Sequence, residues 1–407
     1  MSPPAAPDAK ALRIAVDYNT AVIPGAGVAR YTRSLVEALA RLDRTNRYTL
    51  FYGGRGLSRE TEPYRAARAL VHHHGNFAAR ELPLSARLMT LLWQRARVPW
   101  PLERSIGPHD IVHAPDYVLP PHRQGRGIVT IHDLSFLIVP ETAEPRLVAY
   151  LRAAVPRAVR HADLVIAVSE TTRQDVLRLL PVPPERVVTV LNGVDPAFHR
   201  FNDAELERRG AEVRARLDLP EAYLLHVGTL EPRKNLVRLI EAYHSVLTRG
   251  RARGHALVLA GRRGWRYDPI FARVRELGLD GYVRFLDHVP EPDLPVLYSL
   301  ATVVAYPSLY EGFGLPVAEA MACGVPVLTS RVGATAEVAG NAALLVDPTD
   351  PGPIAAGLEV LLENLDTRTH LAEAGLKRAE SFTWDAAARQ VLGLYERRTP
   401  LPAPEPV

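Results

Sequence analysis

Cysteine occurs once in these 407 residues, at Cys323. No internal disulfide can form, and a reducing, cytosolic setting is the natural one. A lone thiol in a short apolar helix reads as a buried structural residue. No apolar run reaches about 18 residues, so no segment is expected to span a membrane. The first ten residues, MSPPAAPDAK, lack the apolar centre of a signal peptide. The net charge is only +4, which gives little drive towards nucleic acid or another polyanion. Lysine is scarce as well: Lys10, Lys234 and Lys377 stand in a chain that otherwise writes its cations as Arg. Lys234 is therefore informative, because a compact ammonium does different work from a guanidinium.

What is present is length and apolar residues. A chain of 407 residues, 47% hydrophobic, has material for two cores and is expected to form two domains. Apolar runs alternate with amphipathic stretches throughout, the rhythm of parallel sheets covered by helices. Expected strands begin at ALRIAVD (11–17) and YTLFYGG, continue through DIVHAPDYVLP (110–120), IVTIHDLSF (128–136) and DLVIAVS, and close the first half with VVTVLNGVD. Ser169 is placed to cap the helix that follows DLVIAVS. Asn192-Gly193 reads as a turn, and the composition then becomes highly charged. The α/β pattern restarts with YLLHVG (223–228), ALVLAGRRG, YVRFLDHVP (282–290), ATVVAY and ALLVDP (343–348), and helices are expected to fill 351–396.

The richest stretch is Tyr306 to Ser330, YPSLYEGFGLPVAEAMACGVPVLTS. It reads as the end of a buried strand, a glycine-containing loop with Glu311, Gly312, Phe313 and Gly314, a short helix from Leu315-Pro316, and another strand after Gly324. Pro316 suits a first helical turn and Gly324 a left-handed stop. A helix N-terminus offers free N–H groups to an anion. Glu311 and Glu319 can each accept two hydroxyl hydrogen bonds. Phosphate donors with two hydroxyl-binding carboxylates describe a sugar nucleotide. A tight turn with a favourably placed Glu is the other interpretation that these residues alone allow.

Further segments have the same double character. Pro24-Gly25-Ala26-Gly27 lies between a strand and the helix VARYTRSLVEALARL, the opening of a nucleotide-type domain or a plain turn. No acidic residue ends the second strand, which disfavours a dinucleotide. Arg233-Lys234 after YLLHVG is a phosphate clamp or a solvated basic turn. His132-Asp133 stands at a strand's C-terminal end, where open α/β sheets place ligands. His72-His73-His74 has no partner ligands at metal-binding spacing and reads as strand-end histidines. Residues 66–105 look helical and irregular. Within them Leu84, Leu88, Leu91, Leu92 and Trp93 accompany Arg87, Arg95 and Arg97, a stripe that packs on its own domain or lies weakly on an anionic membrane.

The Glu-x7-Glu pattern in EGFGLPVAEAMACGVPV, with GTLEPRKNL and TIHDLSFLIVPE, resembles the retaining glycosyltransferases of family 4, the group 1 glycosyltransferases. The likeness runs over nearly the whole chain and is densest in 223–348. It implies the GT-B fold, two doubly wound Rossmann-like domains facing across a cleft. The expected limits are an acceptor-side domain at 1–197, a donor domain at 198–380, a helix crossing back at 381–398 and a disordered tail at 399–407. It implies catalytic roles for His132, Arg233, Lys234 and Glu311. Donor contacts would come from Gly25, Gly27, Arg233, Lys234, Leu286, Glu311, Gly312, Phe313, Gly314, Leu315 and Glu319, with Glu319 on the ribose. Glu337 lies in GATAEVAG, which resembles a family loop that often has Pro where this chain has Ala336. No Asp-x-Asp motif is present, so no metal and no cofactor are expected. The implied reaction moves a hexose, mannose from GDP-mannose in the bacterial enzymes most alike, onto a saccharide or lipid-linked saccharide at the inner face of the membrane. Alternatives of the same fold are a UDP-glucose or UDP-N-acetylglucosamine transferase, a sugar-nucleotide 2-epimerase and a non-catalytic nucleotide-sugar binder.

Overall fold

Thirteen strands assemble into two parallel sheets in the computed structural model, which describes residues 11–25, 27–96, 98, 100–252 and 254–397. The first sheet contains β1 (Arg13–Asp17), β2 (Arg47–Gly53), β3 (Phe77–Leu82), β4 (Ile111–Ala114), β5 (Arg126–Ile131), β6 (Leu164–Ala167) and β7 (Val187–Thr189) in the order β3-β2-β1-β4-β5-β6-β7. The second contains β8 (Ala222–Val227), β9 (His255–Ala260), β10 (Val283–Leu286), β11 (Val303–Tyr306), β12 (Val327–Ser330) and β13 (Leu344–Val346) in the order β10-β9-β8-β11-β12-β13. Central strands such as LVIA in β6 and VVAY in β11 are buried at every residue, because helices cover both faces. Each sheet reverses its winding once, between β1 and β4 and between β8 and β11. The carboxyl ends of the strands at such a reversal leave a crevice between diverging loops.

Two details depart from the sequence expectations. The stretch 66–105 hides the edge strand β3, paired to β2 from Tyr48↔Phe77 to Gly53↔Leu82. Its sequence FAAREL has small and charged residues at exposed edge positions, so it lacks a strand's apolar pattern. His72 and His73 close the helix Glu62–His73 instead of a strand, and His74 caps it. The apolar stripe that follows forms a short helix, Ala86–Thr90, and a π turn, Leu91–Arg95. Met89 is buried, Leu84 and Trp93 pack against the first domain's core, and Leu91 stays exposed. No helix among the described residues is long and apolar enough to cross a membrane.

Gly193 serves a close approach, not a turn. A Cβ there would stand 2.2 Å from the Trp384 amide nitrogen, and the Val194 N–H donates to the Phe382 carbonyl at 2.9 Å. Here the chain returns towards the first sheet. The helix Trp384–Glu396 packs on the helix Gly27–Leu42, with Arg41 on Asp385 at 2.7 Å and the Tyr395 hydroxyl on His113 Nδ1 at 2.6 Å. The expectations for the disordered tail 399–407, the leaderless first ten residues and Arg97 lie outside the described residues.

Candidate active site

The loops at the two winding reversals face each other. From the first sheet come Gly25 and Gly27 after β1 and Asp116-Tyr117 after β4, with His132-Asp133 after the neighbouring β5. From the second come Gly228 to Lys234 after β8 and Pro307 to Gly314 after β11. They enclose a cavity of about 930 Å³, on whose wall stand Gly25, Gly27, His132, Arg233, Lys234, Glu311, Gly312, Phe313, Gly314, Leu315 and Glu319. Distances of tens to hundreds of residues in sequence are thus closed by the topology alone.

Glu311 is the electrostatic centre. Its Oε1 accepts from Lys234 Nζ at 2.6 Å and from the Tyr306 hydroxyl at 3.1 Å, and its Oε2 accepts from Arg233 at 2.7 Å. Arg233 also donates to Glu231 at 2.7 Å and to the Tyr310 carbonyl at 3.0 Å. Burial by itself would raise the Glu311 carboxyl, but the charges of Arg233 and Lys234 outweigh it and hold it at about 2. The Lys234 ammonium is shifted down by burial and by the neighbouring Arg233, against the pull of Glu311. Two fixed cations, Arg233 and Lys234, therefore share a buried corner with two carboxylates, Glu311 and Glu231, and are held where they can meet the charge that grows on a departing phosphate. The short run Pro232–Lys234 makes this possible by turning both cations inward, ending at Asn235 in a left-handed conformation (φ +62°).

Gly314, at φ +94°, caps the helix Leu315–Ala322, and Gly27 opens the helix Gly27–Leu42 on the opposite wall. Two helix N-termini thus border the cavity beside Arg30, Arg33, Arg233, Lys234 and Arg262. His132 is neutral, its pKa lowered by burial. Its Nε2 lies 2.7 Å from the Pro115 carbonyl, which can only accept; Nε2 therefore carries the hydrogen and Nδ1 keeps its lone pair. Glu319 is fully buried and pairs across the cleft with Arg30 at 2.6 Å, while the Tyr298 hydroxyl donates to its other oxygen at 3.0 Å. A ribose reaching Glu319 would compete with Arg30.

Gly312, which stands on the cavity wall, also serves a contact between the two sheets. A Cβ there would stand 1.5 Å from the His132 carbonyl oxygen, so only glycine lets the loops of the two sheets touch. The Gly312 carbonyl accepts from Ser169 Oγ at 2.6 Å and Thr172 Oγ1 at 3.0 Å. Beside it the Glu337 carboxylate caps the helix Glu170–Leu179 from the other side of the cleft, accepting from the amides of Glu170 at 2.8 Å and Thr171 at 2.7 Å. Tyr310 donates to Asp175 at 2.8 Å. Ser169 also caps that helix itself through the Thr172 amide at 3.0 Å.

Leu286 is absent from the cavity wall. Strand β10 ends at this residue and its side chain joins the core; His288, Val289 and Pro290 on the following loop line the cavity instead. Sequence reasoning missed Arg30, Glu231, Tyr306, Asp116 and Trp265. Asp116 and Tyr306 carried a usable signal, their position at strand C-terminal ends, the criterion that found His132. Arg30 and Trp265 carried none, since only the facing of the two sheets gives them partners.

The profile of the family described as "Glycosyl transferases group 1" matches residues 211–378, and that of "Glycosyltransferase Family 4" matches residues 25–198. Over 376 residues the chain is 34% identical to O-antigen chain mannosyltransferase B of Escherichia coli, spanning 92% of this chain and 96% of that one. It is 33% identical over 254 residues to the D-inositol 3-phosphate glycosyltransferase of Corynebacterium efficiens, 61% of this chain and 59% of that one. Among solved structures, sucrose-phosphate synthase from Thermosynechococcus elongatus matches with a TM-score of 0.73 at 22% identity, covering 95% of this chain and 98% of that one. The Anabaena protein HepE, solved in complex with UDP and glucose, matches with a TM-score of 0.69 at 20% identity, covering 94% and 99%. The structural likenesses establish the fold, GT-B.

Proposed function

The chain belongs to the group 1 glycosyltransferases, family 4, and from that premise we propose that it transfers mannose from GDP-mannose, with retention at the anomeric carbon, to a saccharide or lipid-linked saccharide hydroxyl. The donor diphosphate lies between the N-termini of the helices Gly27–Leu42 and Leu315–Ala322, and Arg233 and Lys234 neutralise it. No metal or cofactor takes part in this proposal. Glu311 holds the donor sugar and Glu319 exchanges Arg30 for the ribose hydroxyls. His132 offers its Nδ1 lone pair to a hydroxyl of the transferring sugar. The bond from the anomeric carbon to the phosphate oxygen breaks through an oxocarbenium-like state. The acceptor oxygen bonds to the same face, and its proton passes to the leaving phosphate.

The observation that carries this proposal is the Arg233–Glu311–Lys234 cluster standing at the second sheet's winding reversal, opposite the glycine-opened helix of the first. The mannose preference is supported by the 34% identity to a mannosyltransferase over almost the full length of both chains. A thermal-shift screen against GDP, UDP, ADP and their hexose conjugates, with EDTA present, tests the donor. A rise for guanine nucleotides alone is expected. A rise for UDP conjugates alone replaces the donor, and turnover of donor without acceptor into an epimer replaces the reaction. Retention is read from the one-bond coupling between the anomeric carbon and its proton in the product by NMR.

A further inference from the structure

A second cavity, of about 420 Å³, opens on the first domain's side of the cleft. Four of its wall residues, Tyr117, Asp133, Arg233 and Trp265, also line the donor cavity, so ligands in the two cavities meet there. The Trp265 indole donates to the Thr142 carbonyl at 2.6 Å, tying the second domain over this cavity's rim. Its size lies within the roughly 300–1,000 Å³ of small-ligand pockets. It is under half the size of the donor cavity.

We propose that this cavity seats the terminal sugar of the acceptor, and that Asp116 and Asp133 restrict that sugar to a neutral, unphosphorylated hexose. This deepens the glycosyltransferase assignment and rests on it.

The wall supplies aromatic and aliphatic surface from Phe136, Tyr150, Leu147 and Leu151, which suits the apolar face of a pyranose. Its charged groups are the carboxylates of Asp116 and Asp133 and the guanidinium of Arg233. Arg233 is already bonded to Glu311, Glu231 and the Tyr310 carbonyl. Asp133 accepts from the Ser135 amide at 2.9 Å, whereas no described residue donates a hydrogen bond to the Asp116 carboxylate. Burial and the nearby Asp17 push the Asp116 carboxyl up to about 7, so near neutrality it can both accept from and donate to a hydroxyl. A polyol satisfies it. A phosphate dianion would face Asp133 and the partly ionised Asp116 beside one cation, Arg233, which the donor diphosphate already engages in the proposed reaction, an arrangement that disfavours it. The donor cavity differs: five basic side chains stand among its six carboxylates, and two helix N-termini open on it.

Direct binding to the GDP-saturated full-length protein, followed by ligand-observed NMR, tests this with methyl α-mannopyranoside, mannobioses, mannose 6-phosphate and D-inositol 3-phosphate. The neutral sugars are expected to bind and the two phosphates not to. Asp116→Asn is expected to weaken the neutral sugars about tenfold, the effect of losing the partly ionised carboxylate as an acceptor. Leu147→Trp, at a largely exposed position on the cavity wall, is expected to block them without disturbing the fold. GDP affinity stays unchanged in both variants. Equal or tighter binding of either phosphate, no binding of any neutral sugar, or indifference of neutral-sugar binding to both variants overturns the proposal. Failure of the donor assignment shows separately, as absence of GDP binding or of GDP release from GDP-mannose.

Discussion

Replacing Glu311 by Gln separates the charge of the site from its shape. Amide and carboxylate have nearly the same volume, so packing is preserved while the anion between Lys234 and Arg233 is removed. The magnitude follows from the carboxyl, held at about 2 against 4.5 in an open chain. At 1.36 kcal/mol per tenfold, that difference sets an upper value of about 3 kcal/mol of folding stability at pH 7. A glutamine oxygen still accepts from Lys234 or Arg233, and a buried ion pair carries its own desolvation cost, so about 2 kcal/mol is the expected loss. A depressed carboxyl contributes stability that is present above the open-chain value and is lost as pH falls through the folded one. The penalty of Glu311→Gln should therefore be complete at pH 7 and begin to shrink below about pH 5. It should be half or less of its full size near pH 3. Urea unfolding of both proteins across that range measures it. A penalty that does not change with pH, or no penalty at all, would show that the cluster is not held by the Glu311 charge. The same variant should release little GDP from GDP-mannose yet still bind GDP, because the lost contact is to the sugar.

Lys234→Ala should lower turnover by roughly a hundredfold or more if the ammonium stabilises the leaving phosphate; initial rates of nucleotide release decide, and a near-normal rate returns Lys234 to a structural role. Glu319→Gln should weaken GDP binding by calorimetry, and unchanged affinity removes Glu319 from the ribose. Glu337→Ala removes the cap that the second domain places on the helix Glu170–Leu179, at a cost of about 1 kcal/mol; small-angle scattering of the ligand-free protein should show a larger radius, and an unchanged radius refutes a role in closure. Asp116→Asn should stabilise the fold, since a carboxyl raised to about 7 penalises the folded state increasingly as pH rises from about 4 to 7. The gain in melting temperature should be small at pH 4 and full at pH 8, and a pH-independent gain refutes the burial argument.

Local order in the chain determined a good deal by itself. Continuous apolar runs such as LVIA and VVAY announced parallel strands buried on both faces. The alternation of such runs with amphipathic helices announced two doubly wound sheets, and the loop EGFGLP announced a short helix, whose start opens on the cavity. These features depend on neighbours in sequence, where propensity and periodicity act. Tertiary structure decided the rest. FAAREL is an edge strand only because β2 presents its free side to it. Leu286 turned into the core and His288 to Pro290 into the cavity because the strand ended where it did. Gly193 and Gly312 proved to be points of contact between distant segments, which no turn statistic distinguishes from an ordinary loop glycine. Arg30 meets Glu319, Glu337 caps the helix Glu170–Leu179 and Asp116 comes to border Arg233 only because the two sheets face each other. The chemistry of each side chain was written in the sequence; which charge stands beside which was fixed by the two winding reversals and the closure between them.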